Sequence, residues 1–110
     1  MPDDRIMPGQ VVRSLAGRDR GRLYVVIGFS PPYLLVADGR DRGAGRPKRK
    51  NVRHVGVLKY VDEGVAAVIA GGAKATDREL RAALRTAAGT SSDADEEGVE
   101  SYVQAGRNRG

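Results

Sequence analysis

The sequence predicts a small, mainly β domain of four or five strands, followed by a short α-helix and a disordered tail. Three observations support this prediction. Residues 9–61 contain short runs of β-branched and aromatic residues separated by glycine- and proline-rich turns, which is typical of the strands of a small barrel. Residues 76–89 carry leucine and alanine at helical spacing. Residues 90–110 are rich in Ser, Asp, Glu and Gly, and such a composition buries too little apolar surface to fold.

The first strand is predicted over residues 10–14, after an arm formed by residues 1–8. Successive side chains of a strand point to opposite faces, so Val11 would lie on one face and Val12 on the other. The second strand, residues 22–29, is the most apolar run of the chain and the expected core strand. Alternation divides its apolar residues into two sets, Leu23, Val25 and Ile27 on one face and Tyr24 and Val26 on the other.

The third strand is predicted over residues 33–38. A mobile basic loop follows over residues 40–50, where Ala44 is the one apolar residue apart from Pro47. Residues 51–54 and 56–61 would then provide one or two closing strands.

The second half of the chain is less regular. Residues 62–75 are a linker or an extra element, and within them residues 63–70 fit either a short alanine-rich helix or another strand. Thr76 and Glu79 form a capping box, in which each side chain accepts from the backbone amide of the other residue, so a helix is predicted over residues 76–89. Its narrow apolar stripe needs a covering surface, which could be the barrel, a second copy or a partner.

Positive charge is concentrated on the predicted barrel. The whole chain has a net charge of +5, but residues 9–60 hold 12 basic and 3 acidic residues, a net of +9, whereas residues 61–110 have a net of −3. This asymmetry is the electrostatic footprint expected of a domain that binds phosphates. A basic surface without a polyanionic partner is the alternative. The acidic segment 93–100 is read as a solvating tail, with competition for the basic loop as the alternative.

Composition argues against several other classes of protein. The chain has no cysteine and a single histidine, His54, so we expect no metal and no cofactor. His54 is interpreted as a polar residue at the barrel rim. No nucleophile with an adjacent base and no pair of carboxylates is evident, so we expect no enzyme activity. Neither a signal peptide nor a membrane-spanning run is evident, so we expect a cytoplasmic protein.

A glycine-bracketed loop joins the first two strands. Gly17 and Gly21 can adopt positive φ, which turns the chain sharply and leaves Arg18, Asp19 and Arg20 between them. Gly21 would also let another backbone approach closely. Asp19 either pairs with one of the arginines or softens their mutual repulsion, and the second reading fits an exposed loop better. An ordinary solvated hairpin is the alternative reading of the loop.

If this loop and the basic loop lie at one end of the barrel, their cations form a phosphate-binding rim, because guanidinium groups match phosphate oxygens in shape. Tyr24, Tyr33 and Phe29 are interpreted as core residues, with base stacking as the alternative. The candidate binding residues are Arg13, Arg18, Arg20, Arg22, Arg46, Lys48, Arg49, Lys50 and Arg53.

Several motifs together resemble the KOW motif of ribosomal proteins and transcription elongation factors. They are Gly9-Gln10-Val11-Val12, Ala16-Gly17-Arg18-Asp19-Arg20-Gly21-Arg22, the apolar strand that follows, and Leu35-Val36-Ala37-Asp38-Gly39. With Pro47-Lys48-Arg49-Lys50-Asn51 and His54 added, the chain is similar to bacterial KOW-domain RNA-binding proteins related to a large-subunit ribosomal protein. The likeness covers residues 9–55 and, more weakly, residues 77–84.

This resemblance implies an SH3-like five-stranded barrel in which loop 17–21 touches RNA. It makes Gly17, Gly21, Asp38 and Gly39 the structural residues of the motif, and it carries no enzymatic activity. The partner it implies is RNA, in particular ribosomal RNA, in a ribosome-associated protein of translation. Two other readings stay open: a module that binds ribosomal proteins or RNA polymerase, and a DNA-binding protein. Residues 62–75 and the acidic tail do not belong to the motif.

Overall fold

The computed structural model describes residues 6–90 and 96–97 of the chain. A 3-10 turn, Val52–His54, joins the fourth strand to the fifth. The strands are β1 (Gln10–Ser14), β2 (Leu23–Ser30), β3 (Tyr33–Ala37), β4 (Lys48–Asn51), β5 (Val55–Val61) and the two-residue β6 (Glu96–Glu97), and the helices are α1 (Glu63–Ala70) and α2 (Asp77–Thr90).

All strands belong to one antiparallel sheet in the order β4-β3-β2-β1-β5-β6. Strands β1 to β4 follow one another as a meander, and β5 returns to pair with β1, placing Ser14 opposite Val55. The mainly β, five-stranded antiparallel prediction is confirmed. The sheet is open, however, because the second edge of β5 carries β6, with Val57 opposite Glu97, and is therefore not paired with β4.

One face of the sheet is covered by the two helices. The alternation predicted for β2 is confirmed here, because Val25 lies in this core and Leu23 and Ile27 pack against it. The apolar stripe of α2 therefore finds its surface on the chain's own sheet. We call this set the helix-side core, and its buried members are Val11, Val25, Ala37, Leu58, Val65, Ala75, Leu80, Ala83 and Ala87.

The opposite face forms a second core that no helix covers. Its buried members come from four strands and from Ile6, and Val52 and Val57 pack against it. We call this set the strand core, and its buried members are Ile6, Val12, Tyr24, Val26, Leu34, Val36 and Val55.

The start of each helix is capped by a side chain. Asp62 accepts a hydrogen bond from the Val65 amide at the start of α1, at 3.0 Å. At the start of α2, the Glu79 amide donates to Thr76 Oγ1 at 3.1 Å and the Thr76 amide donates to Glu79 Oε1 at 2.8 Å, which confirms the capping box. Residues 63–70, left open between helix and strand, form α1.

Several boundaries differ from the prediction. Residues 52–54, expected in a closing strand over 51–54, form the 3-10 turn Val52–His54, and the bounds of β2, β3 and β5 each differ by one residue. Residues 48–50, assigned to a mobile loop, form β4 together with Asn51, because Lys48 pairs with Val36 and Lys50 with Leu34 in the ladder. Helix α2 continues through Gly89, the expected stop, and ends at Thr90.

The predicted arm and tail fall largely outside the described residues. Of residues 1–8, the first five are not described, and Ile6 is buried in the strand core. Of the tail predicted to be disordered, residues 90–110, only Thr90 and β6 are described.

Candidate nucleic-acid interface

The loop 15–22, between β1 and β2, is a compact structure closed by backbone hydrogen bonds. The Gly21 amide donates to the Ser14 carbonyl at 2.8 Å, and the Ser14 amide donates to the Arg22 carbonyl at 2.9 Å. Gly17 and Gly21 have φ of 91° and 93°, as predicted. No described atom lies within 4 Å of where a Cβ of Gly21 would stand, so its φ alone requires glycine.

Asp19 is the centre of this loop. Its side chain is 9% exposed and accepts hydrogen bonds from four other side chains. Oδ1 accepts from Ser14 Oγ at 2.8 Å and from Lys50 Nζ at 2.9 Å. Oδ2 accepts from Tyr24 Oη at 2.7 Å and from Lys48 Nζ at 2.9 Å. We call these five residues the Asp19 cluster; it joins the loop to β1, β2 and β4.

The cluster fixes the ionisation of Asp19. Burial acts to raise the pKa of its carboxyl, but the hydrogen bonds from Tyr24, Lys48, Lys50 and Ser14 outweigh burial and hold the pKa well below its usual range. The pKa of the Tyr24 hydroxyl is raised, first by burial and then by its hydrogen bond to the Asp19 carboxylate. Asp19 is therefore ionised, and Tyr24 is a neutral donor, throughout the physiological range.

Both readings of Asp19 from the sequence are therefore wrong. Its carboxylate neither pairs with Arg18 or Arg20 nor stands in solvent, because it points inward to the lysines of β4. Lys50, a candidate binding residue, is 7% exposed, and its ammonium also donates to the Ala16 carbonyl at 2.8 Å. Lys48 is half-buried in the same cluster.

The other candidates lie closer to solvent. Arg18 and Arg20, on either side of Asp19, are exposed, as are Arg46 and Arg53. Arg13 is half-buried and donates to the Gly21 carbonyl at 3.0 Å, which ties β1 to the end of the loop.

Arg49 lies on the opposite face of β4 from its two lysine neighbours. It is exposed, and its guanidinium carbon lies 5.7 Å from the ring centre of Tyr33, in cation–π contact. Tyr24 is buried at 2% exposure, which confirms its core assignment, but Tyr33 and Phe29 are exposed at 38% and 42%. Their assignment to the core is wrong because both flank the β2–β3 turn, beyond the part of the sheet that encloses the strand core.

The loop 38–47, which joins β3 to β4, begins with a tight turn at Asp38. The Asp38 carboxylate accepts from the amides of Arg40 and Arg42, at 2.8 and 2.9 Å. Gly39 has φ of 78°, and a Cβ there would stand 2.5 Å from the Asp77 carbonyl oxygen, so only glycine fits against α2. Asp38 and Gly39, which the resemblance made structural residues, thus form a tight turn.

Contacts with α2 hold this loop in place. The Arg81 guanidinium donates to the Gly39 carbonyl at 2.8 Å, and the Ala44 amide donates to the Asp77 carboxylate at 2.7 Å. Arg22 reaches across from the end of the first loop and forms ion pairs with Asp38, at 3.4 Å, and with Asp41. The two loops therefore lie at the same end of the sheet, as the sequence analysis required for a rim.

The residues that the sequence analysis missed are the inward-facing ones. Tyr24 was assigned correctly to one face of β2, but its hydrogen bond to Asp19 was not predicted. The hydrogen bond from Ser14 to Asp19 was not predicted either. The detectable signal was the spacing of Lys48 and Lys50, which lie two residues apart and thus on one face of a strand.

Residues 6–90 and 96–97 include no group of three or more His, Asp or Glu side chains that could hold a metal ion. None of the helices described there is long and apolar enough to cross a membrane. His54 is exposed, and its carbonyl accepts from the Leu15 amide at 2.8 Å, so its backbone anchors the first loop.

The geometry thus gives one end of the sheet two fixed loops, a buried carboxylate and a set of exposed arginines. The resemblance described above rests on the residues themselves. Neither a scan against protein-family models nor a search of curated proteins found a match to this chain.

Proposed function

We propose that this chain is an SH3-like domain of the KOW type that binds RNA through the arginines of loop 15–22. The observation that carries the proposal is the opposite orientation of neighbouring side chains in that loop. Asp19 points inward and is held by four side chains, whereas Arg18 and Arg20 on either side of it are exposed. The buried anchor therefore presents two guanidinium groups from a fixed backbone.

A fixed backbone favours binding because less conformational freedom is lost when a ligand docks. Exposed arginines suit the phosphates of RNA because the planar guanidinium can donate two parallel hydrogen bonds to phosphate oxygens and can stack on an unpaired base. Arg46, Arg49 and Arg53 are the other exposed candidates. We assign Lys48 and Lys50 a structural role in the Asp19 cluster instead.

The fold supports the KOW assignment. Its first five strands are antiparallel, the fifth returns to pair with the first, and the strand core lies on the face opposite the helices. The motif glycines Gly17, Gly21 and Gly39 all have positive φ, as a motif defined by tight turns requires.

The expected mode of recognition is by RNA backbone and shape. Affinity governed by phosphate contacts falls steeply as salt rises, because each contact releases condensed counterions. The resemblance extends the proposal to ribosomal RNA, and hence to a ribosome-associated role in translation.

The test is a filter-binding titration with a stem-loop RNA. We expect Arg18→Ala/Arg20→Ala to lower affinity about tenfold or more and to reduce the slope of log affinity against log salt by about 1 to 2. The matched control is Lys59→Ala/Lys74→Ala, which removes the same charge from exposed positions on β5 and after α1. If the loop variant binds as tightly as the control variant, this loop is not the interface.

Two further measurements separate the alternatives. Sedimentation of a cell lysate on a sucrose gradient, at low and high salt and with and without RNase, tests ribosome association. Co-migration with the large subunit that is lost at high salt supports it, whereas co-migration with a complex that survives RNase favours protein contacts. Competition between the stem-loop RNA and duplex DNA at equal salt tests the DNA-binding alternative.

A further inference from the structure

A cleft lies between α2 and the turn that begins at Asp38, next to the end of loop 15–22. Its volume is about 510 Å³. Four arginines line it: Arg22 before β2, Arg40 in the loop 38–47, and Arg81 and Arg85 on α2. Only Arg22 was among the candidate binding residues from the sequence.

The balance of charge in the cleft is positive. Asp38 and Asp41 are the two acidic residues that line it, so the lining carries four positive and two negative charges. Both aspartates form ion pairs with Arg22. The charge of Arg22 is thus offset within the protein, whereas Arg40 and Arg85 are exposed to solvent.

The α2 arginines are arranged to act together. Arg81 and Arg85 are four residues apart, so they lie on one face of the helix, about 6 Å apart along its axis. One guanidinium nitrogen of Arg81 donates to the Gly39 carbonyl at 2.8 Å, which fixes that side chain at the cleft wall. Leu23 and Leu84 supply an apolar part of the lining, beside which electrostatic attraction is less screened by water.

We propose that this cleft binds phosphodiester groups of the RNA strand that loop 15–22 contacts, so that the interface extends from the loop across to α2. The proposal rests on the proposed function for the nature of the ligand. The net charge of +2 in the cleft lining matches the charge of two phosphodiester groups. Arg22 lies where the cleft meets loop 15–22. The guanidinium groups of Arg40 and Arg85 are the ones available for bidentate contacts with phosphate oxygens.

The decisive comparison is between two double variants of the full chain. Arg40→Gln/Arg85→Gln removes two cleft arginines, whereas Arg42→Gln/Arg78→Gln removes two arginines that do not line the cleft. Each pair takes one exposed arginine from the loop 38–47 and one from α2, so the charge lost and the elements changed are equal. Arg78 lies about 10 Å from Arg85 along the helix, close to one screening length at 0.1 M salt.

Both variants are titrated with the stem-loop RNA over a range of salt, beside Arg18→Ala/Arg20→Ala. We expect the cleft variant to lose about tenfold in affinity and to show a salt slope smaller by about 1 to 2. The control variant should lose about twofold or less, because its arginines act only through the screened field.

The outcomes separate this inference from the function on which it rests. Normal binding by the cleft variant together with weak binding by the loop variant overturns the cleft and leaves the proposed function intact. Equal losses in the cleft and control variants also overturn it, since the effect is then one of total charge. Weak binding by the cleft variant with normal binding by the loop variant supports the cleft and overturns the loop. Normal binding by every variant overturns both.

Discussion

Two short segments of this chain look alike in sequence and behave oppositely in the structure. Residues 18–20 (Arg-Asp-Arg) hold two cations on either side of an acid, and residues 48–50 (Lys-Arg-Lys) hold two cations on either side of a third. In the loop segment the middle residue, Asp19, points inward and its arginine neighbours are exposed. In the strand segment the middle residue, Arg49, is exposed and its lysine neighbours turn inward to Asp19.

The difference shows that backbone geometry, rather than local charge, decides which cations face solvent. The inward residues of the two segments form ion pairs with one another inside the fold, and the outward ones are exposed arginines. A count of basic residues therefore overstates the charge available to a ligand, because Lys48 and Lys50 are already paired. The four predictions that follow test this division.

The largest effect is expected from Asp19→Ala. It leaves the ammonium of Lys50, whose side chain is 9% exposed, without its carboxylate. Removing one partner of a buried ion pair costs about 3–5 kcal/mol, and we expect a loss of that size in the free energy of unfolding. Urea denaturation followed by circular dichroism measures it. Asp41→Ala, at an exposed ion pair of Arg22, is the control and should cost about 1 kcal/mol or less. Equal losses in the two variants would show that the cluster does not stabilise the fold.

The second prediction concerns the free energy of unfolding at low pH. The folded pKa of Asp19 lies below its unfolded value, so the unfolded state binds the proton more readily. Its stabilising contribution is complete above the unfolded pKa of about 3.9 and is lost progressively as pH falls below that value, by about 2–3 kcal/mol at pH 2. Urea denaturation at a series of pH values should show the difference between wild type and Asp19→Asn shrinking over this interval. A difference independent of pH would contradict the assignment.

The third prediction separates the two lysines. Lys50→Met keeps the apolar stem but removes a donor to Asp19 and to the Ala16 carbonyl, and we expect it to cost about 1–3 kcal/mol. Lys48→Met, at a side chain that is 31% exposed, should cost less. Thermal denaturation compares the two. Neither variant should change RNA affinity more than about twofold, and a larger fall for Lys50→Met at unchanged fold would return this residue to the interface.

The smallest change in stability is expected for the loop variant, although its RNA affinity should fall strongly. Arg18→Ala/Arg20→Ala removes exposed side chains, so its free energy of unfolding should stay within about 0.5 kcal/mol of wild type. Denaturation of the protein used for the titration provides this value. A fall as large as that of Asp19→Ala would mean that these arginines also hold the loop, and that their effect on binding is indirect.

The sequence was sufficient for those parts of the fold where apolar alternation was strong. The bounds of β1 and the two faces of β2 were predicted because valines and leucines reveal the period of a strand. The same reasoning missed β4, because its inward positions are lysines, whose burial is made favourable by a carboxylate about thirty residues away along the chain. Helix α1 was ambiguous because an apolar run of eight residues fits either element.

Only part of the candidate site was predicted from the sequence. The condition for a rim, that the two loops meet at one end of the sheet, is met by the Arg22 ion pairs. The Asp19 cluster and the arginine cleft could not be predicted, because each depends on side chains from three or more elements. The exposure of Tyr33 and Phe29 was missed because alternation does not show where the covered part of the sheet ends.

The packing of α2 also has a consequence for the order of events during synthesis. The sheet strands from β1 to β5 are complete at Val61, but the helix-side core requires Leu80, Ala83 and Ala87. Until these residues have emerged from the ribosome, the nascent chain carries an apolar sheet face that α2 does not yet cover, and such faces promote aggregation. Stable folding is thus postponed until α2 is made, and a nascent chain halted between the sheet and this helix is the form that most needs a chaperone.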